Sequence, residues 1–214
     1  DPAGQPRYDG IPGPHEVAIV SLDGLPTTVW PPFSRRVYWK VATKVSVEVI
    51  DTRDVLRLTQ AQAERMNLKL SNVAVEALVE SHEAALLFVN GELVERLKPG
   101  RHAFWKTDRE VRIVKVDMRP QPVEVTAQEI MTKDRVGLRV TLTAYYRVTD
   151  PEKATAATGD LSTTLYRLVQ FAVREAIASR TLDDILAARG SMDRELRDSV
   201  AKRSGDLGVE ILEL

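Results

Sequence analysis

The 214-residue chain contains no cysteine, which removes disulfides, thiolate metal sites and a catalytic thiol while leaving the redox compartment open. Aromatic residues are scarce, at 6%. No window reaches the ~18 uninterrupted apolar residues of a membrane-spanning helix, and no charged-then-apolar signal peptide opens the chain. As it stands the sequence is expected to be soluble. Because it begins at Asp1 rather than at methionine, it is expected to be a piece of something longer. An excess of one charge is also missing: 30 basic residues face 31 acidic ones, for a formal net charge of −1. Nucleic-acid partners select a basic stripe, so none is expected.

What the chain does have is core material. A hydrophobic content of 43% fits one large or two small globular domains that bury about 70% of the unfolded chain's surface. The clearest signal is between Val123 and Asp150. Val136, Leu138, Val140, Leu142, Ala144, Tyr146 and Val148 share one parity, and Arg135, Arg139, Thr141, Thr143, Arg147 and Thr149 the other, the period of a half-buried strand. A two-residue loop at Lys133-Asp134 would pair Val123 with Ala144, Val125 with Leu142, Ala127 with Val140 and Met131 with Val136. Glu129 then falls on the apolar face opposite Leu138 and counts against that register. Lys-Asp is a weaker turn pair than Asn-Gly, which leaves room for a longer loop.

The front of the chain nearly copies itself. His15-Glu16, Val17 to Leu22 and Asp23-Gly24 recur 67 positions later as His82-Glu83, Ala84 to Val89 and Asn90-Gly91. At an offset of 66, Tyr38-Trp39-Lys40, Asp51 and Arg53 recur as Phe104-Trp105-Lys106, Asp117 and Arg119. Asp-Gly and Asn-Gly suit tight hairpins, whose central positions need positive φ. Each copy is therefore expected to be a hairpin, a Pro-containing turn, an aromatic strand and a Val-rich strand ending in Asp-x-Arg. Two copies are too few for a solenoid and point to two linked β-subdomains. Between them, Thr59 to Met66 suggests a short helix and Val73 to Val79 a strand.

After the long hairpin the period becomes helical. Asp150-Pro151 starts a helix that Gly159 breaks, and Asp160 caps a longer one whose stripe is Leu161, Leu165, Leu168, Val169, Ala172, Ala176 and Ile177. Thr181 to Asp184 resembles a capping box for a helix carrying Ile185 and Leu186. Ser191 is expected to cap a last helix with Met192, Leu196, Val200 and Leu207 on one side, and Val209 to Leu214 a closing strand. Strands first and helices afterwards give an α+β fold. The divisions are a flexible Pro/Gly-rich lead over 1–14, an N-terminal β-subdomain with a short helix over 15–80, and the second copy with the long hairpin and helices over 81–214.

Chemistry is sparse. His15, His82 and His102 lack metal-ligand spacing and convergent partners, so they are read as structural or solvent-facing. Asp183 and Asp184 lie in a helix's first turn, where acids stabilise the dipole, and point about 100° apart. Glu129 is either a buried carboxylate or, more in keeping with its place, an edge or bulge residue. No cofactor is expected. Trp39 and Trp105 read as core. Trp30, Pro31, Pro32 and Phe33 form the candidate contact for a membrane or a partner, since Pro31-Pro32 forces an exposed loop.

Gly91 through Trp105, Val116 to Gln121, Gln128 to Asp134, Tyr146 to Pro151 and Arg180 to Leu186 together resemble the stomatin, prohibitin, flotillin and HflK/C (SPFH, Band 7) superfamily, and within it the bacterial slipin, or stomatin-like, branch. The resemblance covers about Ser81 to Leu214, with His15 to Arg53 similar to a duplicated front portion. It implies a non-enzymatic membrane scaffold that forms homo-oligomers, dimers or large rings, and regulates membrane proteins, NfeD-type ones among them. It also implies an N-terminal hydrophobic anchor and a C-terminal coiled coil outside residues 1–214, so that the full-length protein associates with the membrane. The alternatives are a protease-binding adaptor without membrane contact and a metal-dependent hydrolase built on Glu129 or Asp183.

Overall fold

The computed structural model describes residues 7–8, 11–34, 38–39, 44–53, 56–59 and 73–214. The chain divides into two compact units, residues 1–115 and 116–214. All but Thr59 of the helix expected over 59–66 lies outside the described residues, as does the side chain of Trp39.

The named elements among the described residues of the first unit are strands: β1 (Arg7–Tyr8), β2 (Glu16–Leu22), β3 (Leu25–Trp30), β4 (Tyr38–Trp39), β5 (Val45–Asp51), β6 (Ala74–Val79), β7 (Glu83–Val89), β8 (Glu92–Leu97), β9 (Gly100–Trp105) and β10 (Val111–Asp117). The last two residues of β10 belong to the second unit. Two three-stranded sheets, β3-β2-β5 and β8-β7-β10, and two strand pairs, β1-β4 and β6-β9, share one plan. Their details coincide at the sequence offset. Asp23 and Gly24 sit at φ 50 and 84, Asn90 and Gly91 at φ 51 and 85, the left-handed pair that a two-residue hairpin turn requires. Each hairpin is bulged at the same place, between Val20 and Ser21 and between Leu87 and Phe88. Arg7 opposes Trp39 as Ala74 opposes Trp105. Within the stretch expected as a lead, Arg7–Tyr8 thus occupy a strand and Pro12 is buried. The sequence boundary at 80/81 separates the two copies, whose strands lie in the first unit apart from the last two residues of β10.

Val17 to Val20 is a continuous apolar run because β2 is covered on both faces. Val17 and Ile19 pack with Leu58, Val73, Ala103 and Trp105, while Ala18 and Val20 pack with Trp30 and Val45. A third cluster joins Val79, Ala85, Leu87, Leu97, Phe104 and Val111.

The second unit places β11 (Gln121–Met131), β12 (Gly137–Val148) and β13 (Val209–Glu213) in the order β11-β12-β13, with helices α1 (Pro151–Ala157), α2 (Leu161–Ala178), α3 (Leu182–Ala187) and α4 (Arg189–Ser204) between β12 and β13. The hairpin register agrees with expectation at Val123–Ala144 and Val125–Leu142 and then slips by one residue. Gln128 opposes Val140, Glu129 opposes Arg139, Ile130 opposes Leu138 and Met131 opposes Gly137. One extra residue in β11 makes this bulge, and its effect is to turn Glu129 out to solvent and Ile130, 5% exposed, into the core. The expected pairs Ala127–Val140 and Met131–Val136 do not form. The loop runs from Thr132 to Val136 instead of spanning Lys133-Asp134 alone: the Thr132 N–H donates to the Val136 carbonyl (2.9 Å) and the Arg135 N–H to that of Thr132 (3.0 Å).

Asp150 and Asp160 cap α1 and α2 through the N–H groups of Lys153 (3.1 Å) and Thr163 (3.0 Å), and Thr181 with Asp184 forms the capping box of α3. On α2 the buried stripe is Leu165, Val169, Ala172, Val173 and Ile177. Burying each of its larger members contributes about 1.5–3 kcal/mol. One expectation is corrected. Helix α4 starts at Arg189 behind Ala188 without a side-chain cap, because the Ser191 hydroxyl donates back to the Ala188 carbonyl at 3.1 Å. Leu186 is 63% exposed, since only Ile185 of α3 reaches the core.

Candidate functional site

Of the four residues in the candidate contact loop, Trp30 has a different role. It is fully buried against Ala18, Val20 and Val45, because it ends β3 and its side chain points into the sheet's packed face before the chain turns at Pro31. Pro31 is exposed and Pro32 half-buried. Phe33 is 71% exposed and holds φ at 60. It occupies the third position of a turn closed by the Ser34 N–H on the Pro31 carbonyl (3.2 Å), and its own N–H donates to the Pro12 carbonyl (2.9 Å). Proline at the second position and positive φ at the third is the pattern of a type II turn, which ordinarily takes glycine or asparagine there. A bulky aromatic in that conformation is strained, and here it presents its ring to solvent.

The acidic candidates do not converge. Glu129 is exposed and lines an open groove of about 410 Å³ with Ile130, Met131, Gly137, Leu138 and Arg139. Asp183 is exposed in the first turn of α3, and Asp184 is occupied by the capping box, with the Thr181 hydroxyl holding its carboxyl below the usual range. Among the described residues, no three His, Cys, Asp or Glu side chains group in a way that would hold a metal ion.

The histidines lie apart too. His102 lies with Nε2 2.7 Å from the Lys98 carbonyl, and His82 is half-buried just before β7. His15 Nδ1 is 2.9 Å from Asp108, which makes it part of a polar clasp between the two β-copies. Thr52 is wholly buried, and its hydroxyl lies 2.8 Å from the His15 carbonyl and 2.7 Å from the Thr107 hydroxyl. The Arg109 guanidinium donates to the carbonyls of Thr52 (3.0 Å) and Arg53 (3.3 Å) and pairs with Asp108 (2.8 Å), holding that carboxyl down to about 2. Beside it the Arg53 side chain forks onto Asp51, which also falls to about 2, and Arg119 forks onto Asp117 in the second copy. Sequence periodicity gave no sign of the clasp, because Thr52 and Thr107 lie outside the strands and meet only through tertiary packing.

Acids and bases that pair off at strand ends, together with two like sheets and a hairpin backed by helices, define a module of the α+β class. Residues 77–214 match the model of the SPFH domain / Band 7 family, and the chain belongs to that family. An uncharacterized protein of Methanocaldococcus jannaschii is 33% identical over 137 residues, which is 63% of this chain and 66% of that protein. The stomatin homolog of Pyrococcus horikoshii is 29% identical over 134 residues, 63% of this chain and 50% of its own length. Mouse stomatin is 25% identical over 134 residues, 63% of this chain and 47% of its own. The chain thus spans about half to two thirds of the length of these relatives.

Proposed function

We propose that this chain is the folded portion of a membrane-associated scaffold that self-associates and organises or regulates partner membrane proteins. The observation that carries the proposal is the Band 7 match, which runs from β6 to the last residue and takes in the whole hairpin-and-helix unit. Mouse stomatin and the stomatin homolog of Pyrococcus horikoshii each align over 134 residues, 63% of the chain. Among the described residues no helix is long and apolar enough to cross a membrane, and we assign the bilayer anchor to segments outside residues 1–214. NfeD-type membrane proteins are the partner class this assignment favours, within a slipin-like branch. The two sheets with matching turns and bulges support reading the first as a second copy of the family's front portion. Within the chain, the turn Pro31–Phe33 is the segment we assign to membrane or partner contact, on the exposed and strained Phe33 ring.

Cell fractionation of the complete gene product tests this. Co-pelleting with membranes, weakened by Phe33→Ser, is the expected result. A product found wholly in the soluble fraction would overturn the scaffold reading.

A further inference from the structure

Helix α2 buries one stripe and leaves another uncovered. On the outer stripe stand Arg167, Phe171 and Arg174, all exposed, with Phe171 61% accessible. Positions four and three apart on a helix share a face, so the two guanidiniums flank the aromatic ring. Among the described residues, neither arginine makes an ion pair or a hydrogen bond. The adjoining acid, Glu175, is taken up by Arg203 on α4 at 2.7 Å. A single exposed apolar side chain requires no explanation. An exposed phenylalanine between two unpaired arginines is a different matter, because ring and charges can be covered together by one ligand.

The stripe is also rigid. Leu165, Val169, Val173 and Ile177 fix α2 against the core from behind, and Gln170 Nε2 donates to Gln128 Oε1 of β11 at 2.7 Å. The backbone that carries the three side chains is therefore fixed before any ligand arrives, which lowers the ordering cost of binding.

We propose that the Arg167–Phe171–Arg174 face docks an acidic segment of a partner protein, with two carboxylates meeting the guanidiniums and an apolar side chain on the ring. The arginines are seven residues apart, about 10.5 Å along the helix axis. That distance equals the separation of acidic residues seven apart on a partner helix, which lie on one face of it. Charge complementarity selects carboxylates, and arginine accepts them in a two-pronged geometry. A bilayer surface fits less well, because anionic lipid recruits clusters of four to eight basic residues and this face offers two. The inference rests on the scaffold reading in one respect: it supplies the site by which such a scaffold would hold a partner.

The test uses a synthetic alanine-based helical peptide carrying Glu at two positions seven apart with Leu between them, and a control with Gln at both. Each is titrated into the full chain by fluorescence polarisation. The Glu peptide is expected to bind about tenfold more tightly than the control, the product of two exposed charge-assisted contacts. Raising the salt should erase that difference. Arg167→Gln combined with Arg174→Gln should erase it too, and Phe171→Ser should weaken both peptides, with melting temperatures unchanged because all three side chains are exposed.

Equal binding of the two peptides, or binding indifferent to these substitutions, overturns the proposal. So does binding to phosphatidylglycerol vesicles that depends on the arginines while the Glu peptide is ignored, which would give the face to lipid. A dimer that Phe171→Ser converts to monomer, without peptide binding, overturns it in favour of a second copy of the chain. If the peptide fails while the gene product still self-associates and pellets with membranes, the docking site falls and the scaffold reading stands.

Discussion

The hydroxyls of Thr52, at the end of the first β-copy, and Thr107, between β9 and β10 of the second, lie 2.7 Å apart. A hydroxyl has one proton, and Thr52 gives its own to the His15 carbonyl, which can only accept, at 2.8 Å. Thr107 is therefore the donor and Thr52 the acceptor. This contact joins β-copies that are 55 residues apart in the chain at that point, with Thr52 buried and Thr107 half-buried.

Replacing Thr52 with valine keeps the volume and deletes the buried hydroxyl. We expect a loss of about 1–3 kcal/mol, the usual cost of leaving a buried partner unmade. Thr107→Val should cost less on the Thr52→Val background than alone. Chemical denaturation of both single variants and the double variant measures the coupling, and strict additivity would show that the two hydroxyls do not interact.

Glu129 and Ile130 test the bulge. In the slipped register Ile130 is core and Glu129 is solvent-facing. Ile130→Ala should therefore cost about 2–5 kcal/mol, and Glu129→Ala should stay within about 0.5 kcal/mol. The reverse order would restore the straight register.

Gly208 closes the second unit. Its φ is 68, and a Cβ there would lie 2.4 Å from the Asp150 carbonyl oxygen, backbone that cannot swing aside. The same glycine's carbonyl accepts from the N–H groups of Thr149 and Asp150, both at 2.9 Å. Gly208→Ala should cost about 2–4 kcal/mol by combining a left-handed conformation with a clash, read as a fall in melting temperature. A neutral result would mean that this turn is not packed as described.

Acid should weaken the fold. The Asp51 and Asp108 carboxyls sit at about 2, depressed chiefly by the side chains of Arg53 and Arg109 respectively. A carboxyl with a lowered folded-state pKa contributes stability that is present above its unfolded value, 3.8, and is lost as pH falls toward the folded one. The melting temperature should therefore hold from pH 7 to pH 5 and drop between about pH 4 and pH 2. Asp108→Asn should reduce the drop. A melting temperature that rises on acidification would contradict these assignments.

Much of this architecture is legible in local chemistry. Asp23-Gly24 and Asn90-Gly91 mark their hairpins because few other residues tolerate two consecutive left-handed positions. Asp150, Asp160 and Thr181 mark helix starts because their side chains satisfy free N–H groups. Alternation along β12 gives the strand but not the bulge opposite it, since a one-residue slip depends on packing across both strands, and only the misfit of Glu129 hinted at it. The paired prolines after Trp30 say that a turn follows and nothing about where the indole itself points. The Arg167–Phe171–Arg174 stripe has readable helical spacing, but its lack of partners is a property of the folded surface.

Self-association is tested most directly by the mass of the complete gene product in light scattering, with and without any segment that follows Leu214. The account predicts an assembly of two or more copies when that segment is present. A strict monomer in both cases, at concentrations well above those in the cell, would contradict it.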